Sequence, residues 1–316
     1  MSAKARESGR DGPHPEALND AIQSIAVRAF FRGLRRSGPL LLVRRQGRRR
    51  TGPTRVFAAY VHSEKPWAET VTLGDVRGLL DLDLAGLGAG ESPGLTAHDE
   101  PLFLVCTHGK HDACCAERGR PLADAMAHQA PEYTWEVSHI GGDRFAANVL
   151  VLPHGVYYGR LAPSDAPRFV ASHLAGELDV EHLRGRSAYP FSVQAAEVYL
   201  RRKLGVLRLD AVTLAEHSRH GTETRAVFSV GGRRWQVDVQ TEVGERRQDF
   251  VRHRVAPGAD ISMAKVGAKS QPIIATAFRS TLNPEHRVFT SLLLTDYFDD
   301  ATKARIEALL ATRTVF

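Results

Sequence analysis

Short apolar runs alternate along the chain with segments of helical spacing, and the order of the two predicts the elements. From Ala17 to Arg36 the apolar positions Leu18, Ile22, Ile25, Ala26, Ala29 and Phe30 recur at intervals of three and four, as on one face of a helix. "TRVFAAYVH" (54–62) has the β-branched and aromatic content of a strand. "GDVRGLLDLDLAGL" reads as helical with a mixed face, and "GAGESPGLTAHDEP" as a turn-rich linker. A new unit opens with "PLFLVCTHG", a continuous apolar run ending at Gly109, which predicts a buried strand opening into a loop. "DACCAERGRPLADAMAHQAP" suits a helix capped by Asp112, with Gly119 and Pro121 expected to interrupt or kink it. "YTWEVSH" alternates like a strand, "IGGDRFAA" is a glycine-bearing loop, and "NVLVLPHGVYYGRL" is a hairpin turning at Pro153-His154-Gly155. "SDAPRFVASHLAGELD" closes the unit with a helix.

The order β-α-β, loop, β-β-α predicts an α/β fold with a thioredoxin-like core over residues 100–180, built on a mixed four-stranded sheet. Chemistry in such open sheets collects at the C-terminal ends of strands. Before the core, residues 1–17 are polar and rich in Gly and Pro, and are expected to be disordered. Residues 18–99 form an N-terminal α/β segment. After the core, 187–279 read as a C-terminal α+β region: a helix in "PFSVQAAEVYLRRKLG", then antiparallel strands with a hairpin at Gly231-Gly232. Residues 280–316 are expected to be a helical extension, with its helix in "YFDDATKARIEALLATR".

Length changes this picture little, since 316 residues hold one large domain or two ordinary ones. No apolar run nears the roughly 18 residues of a membrane span, and the N-terminus lacks the apolar core of an export signal, so a cytoplasmic protein is expected. Charge adds one feature. Residues 28–50 carry nine arginines and no acid, which can bind nucleic acid but reads more simply as a solvated, partly flexible arm. No zinc-finger spacing or aromatic stacking platform accompanies it, so nucleic acid is not expected as a partner.

The cysteines change more. All three lie in "CTHGKHDACCAERG" (106–119), a packing that points to reduced thiols rather than structural disulfides. Cys106 ends the first strand of the core and His139 the second, so residues far apart in sequence can meet. Neither a CxxC knuckle nor a ferredoxin run is present, and three readings stay open on the residues alone. The cysteines are small core residues; or Cys114 and Cys115 are reactive thiols whose pKa is lowered by a helix N-terminus; or two thiolates, His139 and an oxygen ligand hold zinc.

"FLVCTHGKHDACCAERGRPLADAM", then "WEVSHIGGDRFAANVLVLPHGVYYGRL" and "RGRSAYPFSVQAAEVYLRRKLG", closely resemble the sucrase/ferredoxin-like proteins, a branch of the thioredoxin-like 2Fe-2S ferredoxins. The resemblance covers about 100–205, and more loosely 55–100 and 206–250. It implies a 2Fe-2S electron carrier rather than an enzyme, with Cys106 and Cys115 as the first two ligands. The loop pair of ligands becomes His139-Ile-Gly-Gly-Asp143, where fungal members of the branch carry HxxxH and a cluster with two histidine ligands. Asp143 departs from that pattern. The fourth ligand is therefore Asp143, Cys114, or a nearby histidine such as His108 or His111. Lys110, Arg144 and Arg160 are expected around the site, where they balance charge or steer an acidic redox partner. Imidazole in place of thiolate raises the potential toward the range of His-ligated centres, roughly −150 to +300 mV, and couples electron transfer to a proton. A glycosidase would need two carboxylates about 5 to 10 Å apart. The candidates Asp81 and Asp83 read instead as polar positions of an amphipathic segment, so sucrase activity is not expected.

Overall fold

A computed structural model of the chain describes residues 40–46, 53–74, 76–109, 113–243, 249–254 and 289–294. The fold is mixed α/β. Strands β1 (Leu40–Arg44), β2 (Thr54–Val61), β3 (Trp67–Leu73) and β4 (Thr96–Ala97) precede β5 (Leu102–Cys106), helix α1 (Ala113–Gln129) and β6 (Thr134–Val137). The hairpin β7 (Asn148–Leu152) and β8 (Val156–Gly159), helix α2 (Ala166–Leu174) and β9 (Leu183–Arg186) follow. Helix α3 (Phe191–Leu204), strands β10 (Val212–His220), β11 (Glu223–Val230), β12 (Arg233–Val243) and β13 (Asp249–Arg254), and finally β14 (Phe289–Leu294) complete it.

A ten-stranded sheet runs in the order β4-β3-β2-β14-β1-β6-β5-β7-β8-β9, and a second sheet in the order β10-β11-β12-β13. The four strands expected of the core are neighbours within the large sheet, in the order β6-β5-β7-β8, with β5 parallel to β6 and antiparallel to β7. They do not form a separate four-stranded sheet. Their outer edges would expose unpaired backbone groups; β1 covers β6, with Val43 opposite Val137, and β9 covers β8.

Strand β5 is buried along all five residues, as its unbroken apolar run predicts. Its side chains alternate between two cores. Leu102, Leu104 and Cys106 pack with Leu41, Val43, Trp135 and Val137, while Phe103 and Val105 pack with Leu122, Met126 and Phe169. Helix α1 runs through Gly119 and Pro121 without interruption, contrary to expectation. At Gly119 the helix lies against β5, where a Cβ would strike the carbonyl of Cys106.

The segment expected to be one helix around residues 74–87 is two short 3-10 turns, Val76–Asp81 and Ala85–Ala89. Within the expected helical extension, Phe289–Leu294 is a strand inserted between β1 and β2. The helices expected over Ala17–Arg36 and near the C-terminus lie outside the described residues, as do residues 1–17. In the second sheet, Gly231 and Gly232 hold φ of 57° and 75° in the β11–β12 hairpin, the left-handed geometry that turn requires. Two arginines of the basic arm belong to the fold. Arg44 pairs with Glu136 of β6, and the Arg45 guanidinium lies 3.5 Å from the Trp135 ring centroid.

Candidate metal centre

Three segments meet at the C-terminal ends of β5 and β6. Cys106 is the last residue of β5, Cys115 the third of α1, and His139 follows the end of β6 by two residues. Parallel pairing of β5 and β6 sets Cys106 opposite Val137, so both chains leave the sheet together. The Cys106 and Cys115 sulfurs and a ring nitrogen of His139 all lie within 4.8 Å of one another. Cys115 Sγ is 4.0 Å from His139 Nδ1. Both thiols are buried, at 1% and 0% exposure, and the histidine is half-buried.

Electrostatics separates the open readings of the cysteines. Burial, with the Cys106 and Cys114 thiols beside it, pushes the Cys115 thiol up. A thiol held protonated in this way is a poor nucleophile, and the expectation of a pKa lowered by the helix N-terminus is corrected for Cys115. All three cysteines are free of disulfides.

The expected neighbours divide. Cys114 is half-buried, packs against the same core and exchanges a hydrogen bond with Cys115. His108 Nδ1 accepts the His139 backbone N–H at 3.3 Å. Arg144 is exposed, with its guanidinium 5.7 Å from the Phe145 ring, and exposed Arg160 flanks the same ring at 5.3 Å. Asp143 opens the 3-10 turn Asp143–Phe145 at the end of the glycine loop, and its side chain lies outside the described residues, as do Lys110 and His111.

Two residues that sequence reasoning missed shape this loop. Asn148, fully buried at the head of an apolar run, donates from Nδ2 to the Gly142 carbonyl at 2.8 Å. Arg184 of β9 donates from Nη1 to Asn148 Oδ1 at 2.8 Å. A lone asparagine heading "NVLVL" is a readable signal, because a buried amide must have partners. Nothing local marks Arg184.

A family model described as sucrase/ferredoxin-like matches residues 17–185, more than half of the chain. The chain belongs to that family. No curated protein and no solved structure matches it. The family segment contains the whole Cys106, Cys115 and His139 set, and Arg184 with it.

A second group of possible ligands in the sucrase/ferredoxin-like chain, Asp179, Glu181 and His182, is an ion-pair cluster. Asp179 accepts from His182 Nδ1 at 2.9 Å and lies 3.1 Å from Arg168 Nη2, so a guanidinium already neutralises it. Burial raises its pKa, but His182 and Arg168 outweigh that and hold the carboxyl below the ordinary range. The family name also mentions a sucrase. Asp83 here accepts the Ala85 backbone N–H at 3.2 Å, a turn-stabilising role. Among the described residues no helix is long and apolar enough to cross a membrane.

Proposed function

We propose that this sucrase/ferredoxin-like chain is a one-electron carrier holding a 2Fe-2S cluster through Cys106, Cys115 and His139, with Asp143 as fourth ligand and Cys114 as its alternative. The observation that carries the reading is the convergence of two buried thiols and one imidazole from three separate elements. Thiolate and imidazole are the donors such centres use, and they must be offered from a rigid frame. The strand order β6-β5-β7-β8, with α1 between the parallel pair, supports a thioredoxin-like core inside the larger sheet.

When bound, the cluster supplies a site that takes up and releases one electron. The chain's own residues hold and shield it. Val137, Ile140 and Tyr157 bury the thiols from water in a shared core. His108 fixes the backbone at His139. Free thiols suit a reducing compartment such as the cytoplasm. Exposed Arg144 and Arg160 beside the loop suit an acidic redox partner. No substrate turnover and no nucleic-acid partner form part of this reading.

The same three donors also make a zinc set, which gives the second reading: a zinc-stabilised thioredoxin-like module. Anaerobic purification separates the two. The electron carrier is reddish-brown, with iron and acid-labile sulfide in near-equal amounts. Protein that stays colourless after reconstitution with iron and sulfide overturns it, and stoichiometric zinc in its place establishes the second reading.

A further inference from the structure

The loop that leaves His139 has two glycines in the left-handed region, Gly141 at φ 77° and Gly142 at φ 76°. Glycine lets the backbone take that path, but it also leaves the path conformationally loose. A ligand on such a loop needs something else to fix it.

We propose that Arg184, acting through Asn148, is the positioning residue of the His139–Asp143 loop. The inference rests on reading Cys106, Cys115 and His139 as a ligand set. A two-bond chain links the guanidinium to the loop: Arg184 Nη1 donates to Asn148 Oδ1, and Asn148 Nδ2 donates to the Gly142 carbonyl, both at 2.8 Å. The guanidinium also lies directly on the loop, since a Cβ at Gly142 would stand 2.6 Å from both terminal nitrogens of Arg184. Its own place is fixed by stacking, 4.5 Å from the Phe145 ring centroid and 5.6 Å from that of Tyr157. Its stem runs over Gly159, where a Cβ would meet Arg184 Cδ at 2.8 Å.

A planar fork that stacks and donates at once is a property of arginine and not of lysine. Phe145 closes the arrangement, because its N–H also donates to the Gly142 carbonyl at 2.8 Å. The same carbonyl thus receives two donors, and the amide between the arginine and the loop has no freedom to turn. Outer residues that orient a ligand typically contribute about 10–100-fold in metal affinity.

The test uses the full chain and Co2+ alone, read through sulfur-to-cobalt charge-transfer and d–d bands, with His139→Ala as the control for ligand identity. Arg184→Met and Asn148→Ala are each expected to lower Co2+ affinity about 10–100-fold. The double variant is expected to lose less than the two single losses combined, because Arg184 acts in part through Asn148. Arg184→Lys keeps the charge at a half-buried site, leaves buried Asn148 in place as a second route to the test, and is expected to lose affinity in the same direction. A guanidinium acting only by its charge predicts the opposite sign, since removing a cation tightens binding of another. Tighter binding in Arg184→Met, unchanged affinity, or additive losses in the double variant overturn the proposal. A wild-type chain showing no sulfur-to-cobalt bands removes the ligand set and the proposal with it. A chain that binds Co2+ but takes up no iron and sulfide defeats the cluster reading alone, and the affinities of the variants still decide the role of Arg184.

Discussion

Gly119 of α1 lies against the backbone carbonyl of Cys106, so close that a methyl group at position 119 would overlap the oxygen. The opposing atoms are backbone, and Cys106 is locked in β5 between β6 and β7, so neither side can yield cheaply. Gly119→Ala gains helix propensity of about 1 kcal/mol, but overpacking at such a contact costs about 1–3 kcal/mol. A net fall in unfolding free energy is expected in urea denaturation, together with weaker binding of Co2+, because the displaced strand end carries Cys106 of the proposed ligand set.

That contact also shows what the sequence could and could not disclose. "PLFLVCTHG" announces a buried strand through its own composition, and the pairing of Cys106 with His139 follows from the β-α-β order. Gly119 and Pro121 carry the local signature of helix breakers, yet the helix continues, because the glycine's missing side chain is a packing requirement set by a strand that lies before it in sequence. Strand β14 was equally hidden. It is a hexapeptide, Phe-Thr-Ser-Leu-Leu-Leu, whose partners, β1 and β2, lie more than two hundred residues earlier, and only that pairing makes it a strand. Arg184 resembles any exposed arginine until β9 is laid beside β8.

Replacing His139 tests the mixed ligand set. His139→Cys is expected to keep bound iron, lower the reduction potential and abolish its dependence on pH, because thiolate adds negative charge and removes the titrating imidazole. Protein-film voltammetry between pH 6 and about 9 would show this, and a pH-independent wild-type potential would count against His139 as a ligand. For the fourth position, Cys114→Ser is expected to retain the cluster's absorption and Asp143→Ala to lose most of it. The reverse result assigns Cys114.

Glu197 of α3 binds two buried arginines at once. Its Oε1 accepts from Arg186 Nε at 3.0 Å and from Arg201 Nε at 2.9 Å, and Arg201 donates onward to the Arg208 carbonyl at 2.7 Å. The triad ties β9, and so the strand bearing Arg184, to α3 and the turn that follows. Glu197→Ala leaves two guanidiniums facing each other in the interior, and breaking a buried pair in this way costs about 3–5 kcal/mol. Replacing all three residues together, Arg186→Met, Glu197→Leu and Arg201→Met, is expected to recover most of that loss in chemical denaturation, because no charge is then left without a partner.

Acid stability follows from two histidines, His154 in the β7–β8 turn and His173 on α2. Burial, with His154 nearby, pushes the His173 pKa down to about 3, and burial with Arg186 nearby brings His154 down to about 4. His173 is enclosed by Phe103 and Phe169, with ring centroids at 5.7 Å and 5.3 Å, and its neutral ring accepts the Tyr158 hydroxyl at 2.7 Å. Below the ordinary histidine pKa of about 6.5 the unfolded chain takes up protons that the folded chain refuses. Unfolding therefore gains protons, and stability falls as pH drops from about 6.5, toward about 4 for His154 and toward about 3 for His173, by up to about 1.4 kcal/mol per pH unit for each histidine. Above 6.5 both states are neutral at these positions and the dependence vanishes. His173→Gln keeps an acceptor for Tyr158 without a titrating ring, so its unfolding free energy is expected to decline less steeply between pH 6.5 and about 4 than that of the wild type. Equal slopes in urea denaturation across that window would show that His173 is protonated in the folded protein, which the apolar ring of Phe103, Phe169 and Tyr158 around it opposes.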